Sequence, residues 1–455
     1  MNLHFGTVTG DCIAETDKTD GGQAAVPEGE NVKRKIVLAY SGSLYTAAII
    51  PWLKENHDCD VIAVCVDIGQ NADWKEMKSI ALKAGAAAFH TADAKKEYVE
   101  EYLWPALKAG AVYEDKYLLG SAAAKPLIAK TIAGYARSEG ADAVAHGANG
   151  RSNDQLRLDL ALTSLAPDLE IIAPWRVWKI SSRESAIRFL AKRGLPVPAS
   201  KKNAYSRDES VWHVSHEGLE LKEPGSEPAL KKMLVSTVTP ERASSKPGYV
   251  EIGFEKGTPV SLNGRKTDSL ALLKALNKTG GENGIGITDL VENSIAGTKH
   301  RSVYETPGGS ILHYAHRELE HACLDRQTYS YKQQTALKLG ELIYGGQWFS
   351  PLRKALDAFV ESTQEAVSGT VKLKLYKGSI SPAGVQAPGA LFASGIEEGD
   401  LYTQSDAKGF ARLYAMPDIV RSVASGIKTT SKGEAKTKTA GTKAPGRRRP
   451  KAVKK

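Results

Sequence analysis

The run Ile36–Ala47, IVLAYSGSLYTA, sets a buried-type strand directly against a small-residue turn and the start of a helix. Anions bind at such junctions in α/β proteins. The first-turn N–H groups have no intrahelical partner and carry the positive end of the helix dipole. The alternation continues downstream. Strands at Lys35–Tyr40, Asp60–Val66, Ala87–His90 and Ala141–His146 are interleaved with helices at Leu44–Asn56, Asp73–Ala84, Glu97–Lys108, a stretch over Tyr117–Ser138, and Asn153–Ser164. This spacing predicts parallel βαβ units. Tyr40 and His146 end two of the strands, so the loops after them are expected at the carboxyl edge of one sheet, where open α/β folds hold ligands.

Beyond Ala173-Pro174-Trp175-Arg176 and a helix ending near Arg193, the texture changes. Val250–Phe254 and Thr258–Leu262 read as a hairpin around Glu255-Lys256-Gly257, with Thr370–Tyr376 as a further strand of its sheet. Helices are predicted over Asp268–Asn277, Ser310–Leu324 and Arg326–Tyr344, which makes this region α+β. Within Gly409–Ala424, Pro417 is suited to opening a short helix. The apolar Phe410, Leu413, Tyr414, Ile419 and Val420 there mark a docking stripe.

A chain of 455 residues, 42% hydrophobic, can bury two sizeable cores. It has no run of about 18 apolar residues and no basic-then-apolar leader, so neither a membrane span nor a secretory signal is expected, and the expected location is cytoplasmic. Cys12, Cys59, Cys65 and Cys323 have no metal-ligand or disulfide spacing and read as small apolar residues. The net charge of +9 resides in the tail, because eleven Lys and Arg against Glu434 alone from Val423 onward leave a body of −1. Residues 423–455 therefore read as a disordered basic tail capable of weak polyanion contact, or as a merely solubilising extension, since no aromatic residue interleaves the charges. Residues 1–34 read as a mobile arm.

The second loop carries more chemistry than the first. In HGANGRSNDQLR, Gly147 and Gly150 permit close backbone approach, Arg151 offers a cation, and Asn153 stands at the expected helix N-cap. Asn153 and Arg157 share one helical face, able to hold a zwitterion, with Leu156 and Leu160 on the expected core side. Seen alone, the pair would be a cap and a surface arginine. The first loop lacks the lysine of the GxxxxGK phosphate loop.

The ordered succession LAYSGSLYT, DIGQ, YEDKYLLG, HGANGRSNDQLR, IAPWR, YSRDES with HVSHEG, VENS and VYETPGG resembles the argininosuccinate synthase family from about Lys35 to about Val420. The resemblance implies a parallel-sheet, adenine nucleotide α-hydrolase-like (Rossmann-like) nucleotide-binding domain at 35–194. It further implies an α+β synthetase domain at 195–383 and a C-terminal oligomerisation segment at 384–422, in a homotetramer. The implied reaction joins citrulline to aspartate with ATP in arginine biosynthesis, releasing AMP and diphosphate, with Mg2+ accompanying the nucleotide and no metal ligands of the protein's own. Carried over residue by residue, ATP falls to Ala39, Tyr40, Ser41, Gly42, Ser43, Leu44, Tyr45, Thr46, Ala47, Val66, His146, Gly147, Gly150 and Arg151. Citrulline falls to Tyr117, Ala122, Asn153, Arg157, Ser206, Ser215, Glu292 and Tyr304, and aspartate to Asn149, Asn153 and Asp154. No acid–base residue is assigned. His146 and His213 read as structural histidines, Glu292 by itself as a solvated loop carboxylate, and Tyr304 as the start of a turn.

Several positions depart from the family pattern. Ala122 replaces a serine, Asn149 a threonine, Arg151 a lysine and Ser152 a glycine. In the first loop, where the family reads SGGLDTS, this chain has Ser43, Tyr45 and Ala47. Ser43 adds a Cβ where glycine can take an unusual φ, Tyr45 removes an acid and puts a ring near the phosphates, and Ala47 deletes a hydroxyl. At about 1 kcal/mol each, these changes would approach a hundredfold in nucleotide affinity or rate. Two alternatives to the family reaction therefore stand: a paralogue that binds citrulline or a related amino acid without turnover, and a ligase for a different ureido/amine pair.

Overall fold

The computed structural model describes residues 33–198, 205–392 and 401–426. The expected N-terminal arm, apart from its last two residues, and nearly all of the basic tail lie outside these residues. Described residues up to Leu391 form one compact unit, and those from Phe392 onward form another.

Strands β1 (Arg34–Ala39), β2 (Cys59–Asp67), β3 (Ala88–Asp93), β4 (Ala143–His146) and β5 (Glu170–Ile172) form a parallel sheet in the order β3-β2-β1-β4-β5. The period-two pattern of β1 and β2 feeds two cores. Ile36, Leu38, Val61, Ala63 and Cys65 enter one, while Val37, Ile62, Val64 and Val66 enter the other. The chain runs outward one way through β2 and β3 and the other way through β4 and β5, so the switch point lies between β1 and β4. Ala39 and His146 are paired there, which brings both loops to one edge as expected.

The remaining strands form two antiparallel sheets. One comprises β6 (Ser206–Glu209), β7 (Val214–Glu217), β11 (Ile287–Asn293) and β12 (Lys299–Glu305) in the order β11-β12-β7-β6. The other holds the expected hairpin, β8 (Gly248–Glu255) and β9 (Thr258–Leu262), with β10 (Arg265–Lys266), β13 (Gly369–Tyr376) and β14 (Ser379–Gln386). Glu292 and Tyr304 thus lie on paired strands and not in a loop or turn.

Three local expectations are corrected. Glu97–Lys108 is not one α-helix: a π-helical turn over Tyr98–Leu103 precedes the short helix Trp104–Ala109, and Pro105, which has no N–H to donate, sits at the change of register. The N-cap of the helix Asn153–Leu165 is Ser152, with Asn153 its first helical residue. That helix buries Arg157, Leu158, Ala161 and Leu162, whereas Leu156 is exposed, because the helix packs beside Gly120–Ser138 on the face that also carries Arg157.

Cys59, Cys65 and Cys323 are buried free thiols, in keeping with their apolar reading; Cys12 lies outside the described residues. No helix among the described residues is long and apolar enough to cross a membrane. In the terminal unit, Gln404–Tyr414 and Met416–Ala424 are helices, the second with Pro417 in its first turn. Phe410, Leu413, Tyr414 and Val420 are exposed on them.

Candidate active site

The first loop turns on Gly42, whose φ of +71° is the left-handed conformation that favours glycine. Ser43 follows at φ −70° as the helix N-cap and accepts the Thr46 amide at 3.3 Å. Its Cβ therefore meets no unusual φ, contrary to the expectation from sequence. Tyr45 is also not where it was expected. Its ring packs on Trp175 at 4.8 Å, and Trp175 Nε1 donates to the Gly147 carbonyl at 3.0 Å, so the ring braces the second loop instead of filling the space in front of Ser41. Ala47 is fully buried, with Tyr40 and Leu44, in the core beneath the loop, while Ala39 and Val66 belong to the opposite core. These positions can offer a ligand only backbone. The hydroxyls of Ser41, Ser43 and Thr46 lie 3.1 to 3.2 Å from one another at the mouth.

The second loop comes close to the first. A Cβ on Gly147 would meet Thr46 Cγ2 at 2.7 Å, so only glycine permits the approach. His146 is a satisfied structural histidine, with Nε2 2.9 Å from Asp159 and Nδ1 accepting the Ala148 amide. Asn149 shapes the loop by accepting the Arg151 amide at 2.9 Å. Gly150 is exposed, and Arg151 reaches the rim of the cavity that follows.

That cavity, about 760 Å3, opens between the two loops, the N-terminal end of the helix Asn153–Leu165 and one face of the β11-β12-β7-β6 sheet. The sheet register explains its lining. Ser206 pairs with Glu217, Asp208 with Ser215, Ser215 with Tyr304 and Glu292 with His300, so alternate residues of four strands share one face. All of these residues line the cavity. Ser206, Ser215, Glu292 and Tyr304 were expected from the sequence. Asp208, Glu217 and His300 were not, although they lie two residues from an expected position or directly across from one.

Arg157 is 4% exposed and its guanidinium lies 4.7 Å over the Tyr344 ring. Its Nε donates to the Tyr344 carbonyl at 2.8 Å and Nη1 to Asp154 at 2.9 Å, while Nη2 is buried without a partner among the described residues. Glu292 is 1% exposed. Its Oε1 accepts from Tyr304 Oη at 2.5 Å and is 2.8 Å from His300 Nε2, while Oε2 is buried without a partner among the described residues. One cation and one anion in a single pocket thus each keep an unmet group. The cost of a buried unsatisfied charged atom makes this an arrangement suited to a ligand that carries both charges.

Neighbouring groups hold these two in place. Tyr117 stacks on Tyr304 at 4.5 Å and its hydroxyl accepts the Ser121 amide at 2.9 Å. Asn153 has both ends engaged, donating to Tyr344 Oη at 3.0 Å and accepting the Ile295 amide at 2.9 Å. Lys125 lies between Asp154 (3.2 Å) and Asp208 (3.1 Å), and Ser121 Oγ donates to Asp208 at 2.5 Å. Burial disfavours the Asp208 carboxylate, but Lys125, His213 and the Ser121 hydroxyl together hold it well below the usual range. Burial likewise pushes His213 down to about 4 against the pull of Asp208, and its Nε2 has no partner among the described residues. Ala122 does not reach the cavity. Its side chain is fully buried, and the hydroxyl at this point of the pocket comes from Ser121.

A second cavity of about 650 Å3 lies between residues 109–118 and the helices Pro307–Cys323 and Arg326–Tyr344. None of the expected site residues lines it. Its buried charges are already matched, Lys332 with Glu320 at 2.8 Å and Glu320 in turn with Gln364 at 2.8 Å. Among the described residues no cluster of three or more His, Cys, Asp or Glu side chains could hold a metal ion.

Comparison with known proteins agrees with this geometry. Residues 35–196 match the Arginosuccinate synthase N-terminal HUP domain, and residues 205–420 match the Arginosuccinate synthase C-terminal domain. The chain is 56% identical over 392 residues to the argininosuccinate synthase of Desulforamulus reducens, covering 86% of this chain and 98% of that one. It is 52% identical over 386 residues to that of Caldicellulosiruptor saccharolyticus (84% and 95% covered), and 51% identical over 389 residues to that of Brachyspira hyodysenteriae (85% and 96%). With the two family models together matching well over half of the chain, and a relative 56% identical covered to 98%, the chain belongs to the argininosuccinate synthase family.

Proposed function

We propose that this protein ligates citrulline and aspartate to argininosuccinate with ATP. The observation that carries the reading is a pair of buried atoms without a partner among the described residues, Arg157 Nη2 and Glu292 Oε2, in one cavity. Citrulline, an amino-acid zwitterion, meets both needs: its carboxylate goes to Arg157, its ammonium group to Glu292, and its ureido chain runs past Tyr117, Tyr304, Ser206 and Ser215. Charge-assisted contacts of this kind contribute roughly 1.5–3 kcal/mol each. Aspartate takes the side lined by Asn149, Asn153 and Asp154.

ATP lies across the switch point, with its β- and γ-phosphates at Ser41–Ala47 and the mouth of the Gly147–Arg151 loop. The ureido oxygen displaces diphosphate at the α-phosphorus. The aspartate amine, having lost a proton, then attacks the ureido carbon and AMP leaves. The protein's part is to fix three substrates so that the attack becomes effectively unimolecular, and to give the departing diphosphate backbone N–H groups and Arg151. Magnesium enters with ATP as part of the substrate. The first turn after the loop contains no acidic residue, so the ion would keep phosphate oxygens, water and the Ser41, Ser43 and Thr46 hydroxyls around it. We place the nucleotide domain at 35–194 and the synthetase domain at 195–383, and assign the segment 384–422, with its exposed Phe410, Leu413, Tyr414 and Val420, to subunit contacts in a homotetramer acting in the cytoplasm.

Incubation with ATP, citrulline and aspartate tests the reading. Argininosuccinate, AMP and diphosphate should appear in equal amounts, and Glu292→Ala should abolish them. Wild-type protein that binds citrulline yet forms none of the three products would leave the non-catalytic paralogue as the answer.

A further inference from the structure

Glu292 keeps Oε2 free only because Oε1 is held from two sides. Tyr304 is one holder, expected from sequence and buried beside it. The other is His300, which no sequence pattern singled out. It sits directly across from Glu292 in the antiparallel pair β11–β12, with Nε2 2.8 Å from Oε1. Direct cross-strand partners place their side chains on the same face, so this contact is fixed by the ladder and not by a flexible loop. The two side chains differ sharply in burial: Glu292 is 1% exposed and His300 34%.

We infer that His300 is a positioning residue for the amino-acid substrate, orienting the Glu292 carboxylate so that Oε2 faces the ammonium group. The inference rests on the citrulline reading above. With Tyr304 alone, the carboxylate could rotate about its Cγ–Cδ bond and offer either oxygen. With His300 as second donor, Oε1 is committed and the lone pairs of Oε2 point where no group among the described residues answers them. His300 also closes one side of the cavity, because it lines both this space and the adjoining surface cleft with Lys299 and Arg301.

The charges facing His300 decide how it responds to pH. The hydrogen bond to Glu292 raises its pKa above the ordinary histidine value, and Glu217 adds to this; burial and Arg157 oppose it. Lys299, Arg301 and Lys222 line the cleft on its other side. A neutral His300 with its proton on Nε2 still donates to Oε1, so orientation survives above its pKa while the added positive charge does not. Citrulline affinity should therefore change only modestly through neutral pH in the wild type, and that modest change should vanish when the histidine is replaced.

The test is the split between KM and kcat in His300→Ala and His300→Gln, together with citrulline binding by calorimetry from pH 6 to pH 9. His300→Ala should raise KM and Kd for citrulline roughly three- to tenfold, the range for losing a partly exposed hydrogen bond to a charged group. Its kcat should stay within about twofold, and KM for ATP should not change. His300→Gln, which keeps a donor, should recover most of the citrulline affinity but none of the pH dependence. An unchanged citrulline KM in His300→Ala, or a glutamine variant no better than alanine, overturns the inference. Wild-type protein without argininosuccinate synthesis would overturn the reading of the reaction instead, a result that the His300 variants cannot mimic.

Discussion

The phosphate loop and the amino-acid pocket meet at one cavity, yet they tolerate sequence change very differently. The loop has three altered residues, and the structure absorbs all three. Ser43 becomes an ordinary N-cap, Tyr45 turns onto Trp175, and Ala47 sinks into the core. What the loop presents to an anion is mainly backbone N–H and the dipole of the helix behind it, and these persist whatever side chains surround them. The pocket works through named charged atoms. Arg157 Nη2 and Glu292 Oε2 cannot be supplied by another residue type, and both are in place.

This contrast is broken most readily by removing a pocket charge. Arg157→Leu or Glu292→Gln should lower kcat/KM for citrulline by about 2–5 kcal/mol, roughly thirty- to several-thousandfold, because the partner ends of the substrate lose a desolvated ionic contact. Steady-state kinetics at varied citrulline measure this. A loss below threefold in both variants would mean the pocket is not charge-driven.

A second expected effect, intermediate in size, concerns the buried histidine under the pocket. Burial pushes His213 down to about 4 in the folded state, while the unfolded chain leaves it at its ordinary value. The unfolded state therefore binds the extra proton, so the stability contributed by neutral His213 is complete above about pH 6.5 and is lost as pH falls toward 4. The loss is on the order of 3 kcal/mol. Denaturant melts of wild type and His213→Gln over that window should show a flatter pH slope in the variant. Equal slopes would mean that His213 does not set the acid limit of the fold.

The smallest effect belongs to the loop. Ser43→Gly and Tyr45→Asp should change KM for ATP by no more than about threefold each, well short of the hundredfold that the side chains alone suggest. Tyr45→Ala, which like Tyr45→Asp removes the ring that packs on Trp175, should act through KM for ATP and not through KM for citrulline. A gain of about tenfold or more in Ser43→Gly or Tyr45→Asp would show that the loop does depend on its side chains.

The same contrast explains what the sequence made legible. The parallel sheet and its switch point follow from alternating strands and helices, whose periods are local. Ser206, Ser215, Glu292 and Tyr304 were identifiable through family motifs, but the sheet that unites them was not. Its strands come in two pairs far apart along the chain and are rich in polar residues, with no apolar run to announce them. Asp208, Glu217 and His300 were missed for that reason, although a period of two from the expected positions would have found them. Leu156 misled because a leucine on an amphipathic helix suggests the core side, whereas this helix buries Arg157 instead. Ala122 and Tyr45 misled in another way. Position in a motif does not say which way a side chain turns.

The central claim is that the cavity recognises a zwitterion through one buried cation and one buried anion. Wild-type protein titrated calorimetrically with citrulline, with its analogue lacking the α-carboxylate and with its analogue lacking the α-amino group tests this directly, without any variant. Each analogue should bind at least roughly thirtyfold more weakly than citrulline, since each leaves Arg157 or Glu292 without its partner. An analogue that binds as tightly as citrulline would contradict the claim.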